Sequence, residues 1–342
     1  MKPIKTAILG YGRSGSTLHA DPIEALPEFE VVSVCDINPE ARDAAKSRFG
    51  CAVYDNHAEM LKNEPDLEFV VVVTFSSQHA DMACDCLNAG KNVLVTKPWA
   101  QNEAEALRMI EASKKSGKLL MPWLPARYGE DLTELKRIVA SGAIGKIFMV
   151  RRSVNTLGIR CDWQTQKAYG GGYLMNWGPH LVDQPLQLIG EPAKSVYGVM
   201  KQVRNPGDAE DVFYAVIATQ SGANIITEFN FCAPGLPQWV VQGDAGTIYV
   251  RDCEVETHAV RYPVPPDPNG YSNRPEITVT KSADGAVDPK YVYGDAFKIY
   301  AHIAKALRGA EEYYAPAGDG LALTRVLDAI RKSAGTGAVV EL

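Results

Sequence analysis

No hydrophobic run in the 342-residue chain approaches the roughly 18 residues that a membrane span needs, so a transmembrane protein is not expected. Cysteine is scarce and carries no pattern. The seven are an odd number, scattered, and the closest pair, Cys84-Asp85-Cys86, falls where helical spacing would point the two thiols apart. That disfavours a disulfide scaffold and a zinc site; no metal is expected, and reduced thiols suit a cytoplasmic protein. Excess positive charge is also missing. With 35 Lys and Arg against 41 Asp and Glu the net charge is −6 and the pI about 5.6, which argues against a nucleic-acid partner or a polybasic membrane surface. The opening Met-Lys-Pro-Ile-Lys runs straight into an apolar strand pattern and does not read as a signal peptide. There is no internal repeat. What remains is an ordinary globular composition, 46% hydrophobic and 22% charged, in a chain long enough for two domains of roughly 150 residues each.

The first 120 or so residues alternate strand and helix patterns. The first strand pattern ends in Gly10-Tyr11-Gly12-Arg13-Ser14-Gly15, a G-x-G-x-x-G turn. In a dinucleotide-binding unit the first glycine permits the tight turn, the second admits the pyrophosphate to the backbone, and the third lets helix and strand pack closely. A second apolar run, Val31 to Cys35, ends on Asp36, 21 residues beyond Gly15, the offset of a carboxylate that grips the adenosine ribose. Such a carboxylate repels a 2′-phosphate, and the nearest base, Arg42, is expected on the following helix, so NAD rather than NADP is the expected cofactor. Continuous runs at Val70–Thr74 and Val93–Val95 read as parallel strands buried on both faces. Asn102, Glu105 and Gly117 read as a capping box and a stop around a helix from 102 to 115.

After about residue 145 the pattern changes to closely spaced strands at Ile147–Val154, Val196–Val203, Val212–Thr219, Asn224–Phe231 and Thr247–Arg251. Several alternate polar with apolar, as in an antiparallel sheet with one open or partner-covered face. Residues 263–275 read as a long surface loop, and helical patterns return at Asp295–Leu307 and Leu321–Ser333. The expected class is α/β. A Rossmann doubly wound parallel sheet would occupy residues 1–122, and an α+β domain with a large, open, mainly antiparallel sheet residues 123–342, its last helices free to pack back on the first domain. The sheet's open face, carrying Val212, Tyr214, Ile226 and Phe229 depending on register, is expected to pair copies into a homodimer or homotetramer.

Two segments carry chemistry. Gly170-Gly-Gly-Tyr-Leu-Met-Asn-Trp-Gly-Pro-His-Leu-Val-Asp183 sets Asn176, His180 and Asp183 four and three residues apart, one face of a helix if the helix is unbroken. A histidine titrates near neutral pH and can pass a proton either way. Pro179 implies a kink or a helix start beside it. Gly90 to Pro98 ends a strand on Lys97, where α/β sheets bind ligands, and a lysine there can stabilise an oxygen that gains negative charge. The Lys97-Pro98 bond could be cis or trans.

Gly10–Gly15, the Thr74-Phe75-Ser76-Ser77-Gln78-His79 turn, Gly90–Pro98, Ser141–Gly145, Gly170–Asp183 and the closing Arg331-Lys332-Ser333 together resemble the glucose–fructose oxidoreductase/inositol dehydrogenase (Gfo/Idh/MocA) family over nearly the whole chain. The resemblance implies an NAD-dependent oxidoreductase moving a hydride to or from a CH–OH carbon of a sugar, sugar derivative or cyclitol. Lys97, His180 and Asn176 would form the catalytic set. Gly10, Tyr11, Gly12, Arg13, Ser14, Gly15, Asp36, Thr74, Ser76, His79 and Lys97 would hold the cofactor. Lys97, Arg127, Trp163, Lys167, Asn176 and His180 would face the substrate. The chain departs from the family pattern twice: Thr96 replaces a glutamate before the lysine, and Asn176 replaces an aspartate four residues before the histidine. A neutral amide there could weaken, tune or redirect the proton transfer. A redox-neutral glycoside-cleaving enzyme, a non-catalytic dinucleotide-binding regulator and a reductase of a non-sugar carbonyl or pyrrole therefore stay open.

Overall fold

The computed structural model describes residues 2–233, 235–262, 265, 267–271 and 274–342. Of the loop expected at 263–275, residues 263, 264, 266, 272 and 273 lie outside the described residues. The chain divides into two compact units, each built from three stretches: Met1–Pro125, Asp162–Pro179 and Asp295–Asp328 in the first, and Ala126–Cys161, His180–Gly294 and Ala329–Leu342 in the second.

The first unit is built on a six-stranded parallel sheet of β1 (Ile4–Leu9), β2 (Phe29–Cys35), β3 (Ala52–Tyr54), β4 (Phe69–Val72), β5 (Asn92–Val95) and β6 (Leu120–Pro122), in the order β3-β2-β1-β4-β5-β6. The order reverses on either side of β1, which makes the ends of β1 and β4 the switch point where such sheets bind ligands. Alternate residues of one strand serve two cores. Ala7, Leu9, Val70, Val72, Val93 and Val95 share one cluster, and Ile4, Ile8, Phe69, Val71 and Leu94 the other. This is why these strands read as unbroken apolar runs. The helix Glu103–Ser116 starts at Asn102, whose side chain accepts from Glu105 N, and ends at Gly117 in the left-handed region. The reciprocal bond of the expected capping box goes one residue earlier, from Gln101 N to Glu105.

The second unit holds a nine-stranded sheet of β7 (Ile147–Thr156), β8 (Ala193–Lys201), β9 (Val212–Thr219), β10 (Asn224–Phe231), β11 (Trp239–Gly243), β12 (Gly246–Arg251), β13 (Glu254–Arg261), β14 (Glu276–Lys281) and β15 (Val340–Glu341). Its order is β14-β13-β12-β11-β7-β10-β9-β8-β15, antiparallel except where β7 lies parallel to β10. β9 and β10 match their expected bounds, while β11, β13, β14 and β15 lay outside the sequence expectation. The register settles the two faces. Val212, Tyr214 and Ile226 share the half-exposed face, but Phe229 belongs to the other and is 2% exposed beside Phe213, Ala215 and Ile217. Placing Phe229 with the open-face residues is therefore corrected: it is three residues from Ile226, and side chains alternate with a period of two. No helix among the described residues is long and apolar enough to cross a membrane.

Candidate active site

The glycine turn after β1 has the form of an anion cradle. Gly10 sits at φ +90°, and a Cβ there would stand 2.6 Å from Val73 O; one on Gly15 would stand 2.0 Å from Gly10 O. Only glycine fits either position. A Cβ on Gly12 would meet nothing within 4 Å, so backbone and open space face each other at the residue expected to admit a pyrophosphate. From Ser14 the chain enters a π-helical turn, Ser14–His19, continued by the helix Ala20–Ala25. Arg13 precedes that turn without a side-chain cap, and its first N–H groups suit an anion. Among cofactor types, the turn suits a dinucleotide.

Asp36 stands at the end of β2 with Oδ2 accepting from Tyr11 N at 2.6 Å and Oδ1 from Asn38 N at 2.8 Å. The carboxylate thus ties the glycine turn to the second strand, with lone pairs left for ribose hydroxyls. Tyr11 is 5% exposed, so its contribution to a ligand there is its backbone. Arg42 does lie on the next helix, Pro39–Phe49, but its guanidinium reaches back, Nη1 donating to Asp36 O at 2.7 Å and to Ile37 O at 3.1 Å.

Thr74 and Ser76 line the turn after β4. His79, expected to offer a ring nitrogen there, is turned to a different use. It is 1% exposed, with Nδ1 at 2.7 Å from Pro98 O and Nε2 at 3.1 Å from Thr74 O. Both ring nitrogens face the protein's own carbonyls, which corrects the expected direct contact with a cofactor. The Lys97-Pro98 peptide is cis. Lys97 Nζ donates to Asn176 Oδ1 at 2.6 Å and to Asn176 O at 2.9 Å. Asn176 therefore anchors the ammonium through two acceptor oxygens while bringing no negative charge of its own.

The glycine triplet explains how Asn176 reaches that position. Gly170 and Gly172 adopt φ +71° and +111°. The N–H groups of Gly170, Gly171 and Gly172 bond to carbonyls of Lys167, Gln166 and Gln164, folding residues 163–169 against the start of the helix Tyr173–Leu181. Phe75 packs on that fold, its ring centroid 5.2 Å from Trp163 and 4.7 Å from Tyr169. Trp163 is thus one member of an aromatic trio beside the Thr74–Ser76 turn. Lys167 lies in the short 3₁₀ turn Lys167–Tyr169.

His180 is one turn beyond Asn176 in the same helix, next to its last residue, Leu181. Pro179 lies inside the helix, and Asp183 opens a new helix, Asp183–Ile189, so the unbroken three-residue face does not form. Asp183 instead pairs with Arg127, whose Nε and Nη2 bond to Oδ2 and Oδ1 at 2.9 and 2.7 Å, with both side chains under a tenth exposed. Arg127, expected to face substrate, is part of a buried bidentate ion pair. His180 is itself 7% exposed, with the Tyr293 ring 5.1 Å from it. Behind Tyr293 lies Arg152, 2% exposed, over the Trp239 ring at 4.8 Å and hydrogen-bonded to Gln184; Trp239 Nε1 donates to Asp131 at 2.7 Å. Burial raises the Asp131 carboxyl, against the opposing pull of Arg152. Phe75, Tyr293 and Arg152 were not singled out in the sequence. Arg152 sits in a strand where alternation alone hinted that it points inward.

Comparison with known proteins gives the family of the chain. Residues 4–123 match the oxidoreductase family with an NAD-binding Rossmann fold (GFO_IDH_MocA), and residues 132–249 match the GFO/IDH/MocA C-terminal domain. The scyllo-inositol 2-dehydrogenase (NADP(+)) IolW of Bacillus subtilis is 25% identical over 96% of this chain and 93% of its own. The inositol 2-dehydrogenase of Salmonella typhimurium is 31% identical over 66% of each chain. The WlbA dehydrogenase of Chromobacterium violaceum, solved with NADH and UDP-GlcNAcA, superposes with a TM-score of 0.83 at 25% identity, covering 100% of this chain and 96% of that one. The chain belongs to the Gfo/Idh/MocA family and is an NAD(P)-dependent oxidoreductase.

Proposed function

We propose that this protein is an NAD-dependent dehydrogenase of a sugar, sugar derivative or cyclitol, acting at one of its secondary hydroxyl groups. The observation that carries the reading is the paired anchoring of Lys97 on Asn176 with His180 one helical turn further on, in a chain whose Gly10–Gly15 turn and Asp36 suit a dinucleotide. Gly10, Tyr11, Gly12, Arg13, Ser14 and Gly15 would hold the pyrophosphate, Asp36 the adenosine ribose, and Thr74, Ser76 and Lys97 the nicotinamide side. The nicotinamide, when bound, supplies the acceptor or donor of a hydride. His180 takes the proton of the substrate hydroxyl during oxidation and returns one during reduction. Lys97 donates a hydrogen bond to the same oxygen and stabilises it as it gains negative charge. Asn176 fixes the Lys97 ammonium and offers its amide N–H₂ to a neighbouring hydroxyl. The aromatic trio of Phe75, Trp163 and Tyr169 suits the apolar face of a sugar ring, and Lys167 an acidic or hydroxyl group. His79 and Arg127 serve as positioning residues.

NAD is favoured over NADP because the Asp36 carboxylate repels a 2′-phosphate, while the first base after it in the chain, Arg42, already donates to two backbone carbonyls. The half-exposed sheet face with Tyr214 and Ile226 suits a second copy in a homodimer or homotetramer. The seven cysteines, all free thiols, suit the reducing cytoplasm. The test is a panel of sugars, sugar acids and cyclitols with NAD⁺ and of their ketones with NADH, followed at the nicotinamide absorbance, with His180→Ala as control. Turnover of one class, lost in the control, supports the reading; a panel with no turnover at any member, or turnover that the control retains, overturns it.

A further inference from the structure

His79 joins two turns that the mechanism needs held together. Thr74 follows β4 and Lys97-Pro98 follows β5, and these strands are parallel neighbours. The register ends at Val72 and Val95, and one further backbone bond joins the strands, from Thr96 N to Val72 O at 3.0 Å, so Thr74 and Lys97-Pro98 lie past the strand pairing. The imidazole, at the start of the helix His79–Asn88, fills that gap with one ring nitrogen on each carbonyl.

A neutral imidazole carries a single N–H, yet both acceptors here are carbonyl oxygens that can only receive. Protonation would satisfy both, but burial lowers the affinity of this ring for a second proton, opposed by the Pro98 and Thr74 carbonyls and reinforced by the nearby Lys97 charge. The neutral ring must therefore choose. The 2.7 Å contact of Nδ1 with Pro98 O is the one with hydrogen-bond length to spare, and the 3.1 Å contact of Nε2 with Thr74 O is the looser.

We propose that His79 is a positioning residue whose Nδ1–H, donated to Pro98 O, fixes the turn that aims Lys97. The inference rests on Lys97 being catalytic, and it adds a specific atom, tautomer and direction of hydrogen bonding. Asparagine can place its amide nitrogen where Nδ1 stands, glutamine can reach only toward Nε2, and leucine fills the space without a donor. The three variants thus separate the Pro98 bond from mere packing.

The experiment compares His79→Asn, His79→Gln and His79→Leu in the full chain on a substrate identified by the panel, with NAD binding and melting temperature measured alongside. His79→Leu and His79→Gln are expected to lower kcat by up to about 10²-fold, the scale of a misaimed catalytic group, with KM and NAD affinity changed much less. His79→Asn is expected to recover most of kcat. Nitrogen-15 NMR of the wild-type ring supplies a readout that needs no variant to fold: Nδ1 protonated and Nε2 bare at neutral pH. The Nε2–H tautomer, an imidazolium, or equal kcat in folded His79→Asn and His79→Leu would overturn the proposal. Lys97→Met keeps the two claims apart. If Lys97→Met is impaired while His79→Leu is not, the brace alone fails; if Lys97→Met matches the wild type, the role of Lys97 fails.

Discussion

The six-stranded and nine-stranded sheets handle burial in opposite ways. In the first, both sides of every central strand are enclosed, so Leu9 and Ile8, or Val71 and Val72, are equally inaccessible though they point apart. In the second, β9 and β10 alternate: Phe213, Ala215, Ile217, Ile225 and Phe229 are closed off, while Tyr214, Val216, Ile226 and Glu228 are half-open. A sheet buried on both faces can meet ligands only at its strand ends, which is where the glycine turn, Thr74 and Lys97 stand. A sheet with a half-open face has a broad surface left for another partner.

The sharpest way to break this contrast is a charge on each face of β10. Phe229→Lys should unfold the chain or leave it insoluble, since truncation of a buried Phe already costs about 3–5 kcal/mol and an unpaired charge adds more. Ile226→Lys, on the other face, should leave the melting temperature within a few degrees of wild type while lowering the mass seen by light scattering to that of a monomer. Equal thermal damage from both would erase the distinction between the faces.

At the strand ends the expected effects are on chemistry and not on folding. Lys97→Met and His180→Ala should each lower kcat by roughly 10²-fold or more, the usual scale for an acid–base group. Calorimetric NAD binding by His180→Ala should stay near that of the wild type. A folded variant retaining full kcat would remove that residue from the mechanism.

The double-sided core carries its own weakness. His19 is wholly buried with Nδ1 2.7 Å from the Tyr300 hydroxyl, and burial pushes its pKa down to about 3. The unfolded chain, with a histidine near pH 6.5, then binds a proton that the folded chain refuses. This contribution to stability is whole above about pH 6.5 and is lost as the pH falls toward 3, at about 1.4 kcal/mol per pH unit. Denaturant titrations between about pH 7 and pH 5 should show a shallower decline in His19→Gln than in the wild type; parallel curves would contradict the assignment.

The smallest effect is expected at the cofactor's adenosine end. Asp36→Ser removes the carboxylate and leaves the Arg42 guanidinium beside the site, so the ratio of NAD to NADP affinity should fall by roughly tenfold, the equivalent of ~1.4 kcal/mol. An unchanged ratio would show that Asp36 serves only to accept Tyr11 N and Asn38 N.

How much of this could be read in the sequence followed from how local each signal is. The G-x-G-x-x-G turn, Asp36, and the Asn102 and Gly117 helix ends depend on backbone conformation within a few residues, and the residues declare it. The bounds of β9 and β10 were legible because one face is closed and the other open. Phe229 was misplaced only because a period of two must be counted from a known neighbour. β13 and β14 were missed because they are weakly apolar: Glu254–Arg261 buries only Val255 and Thr257, and Glu276–Lys281, with Ile277 and Val279 as its sole apolar residues, is exposed at every position. At the site, Lys97, Asn176 and His180 were recognisable through their motifs, whereas the uses of His79 and Arg127 were not. Both are decided by partners far along the chain, at Pro98 and Asp183, whose positions no local pattern encodes.

The central claim, net hydride removal from a hydroxyl-bearing carbon, is tested most directly by isotope tracing. A substrate from the active class, deuterated at the carbon bearing the hydroxyl, is turned over with excess NAD⁺, and NADH and product are quantified together. The account predicts NADH and ketone in a one-to-one ratio throughout steady state, with the deuterium in the NADH. Product forming without accumulating NADH, as in a redox-neutral cleavage, would contradict it.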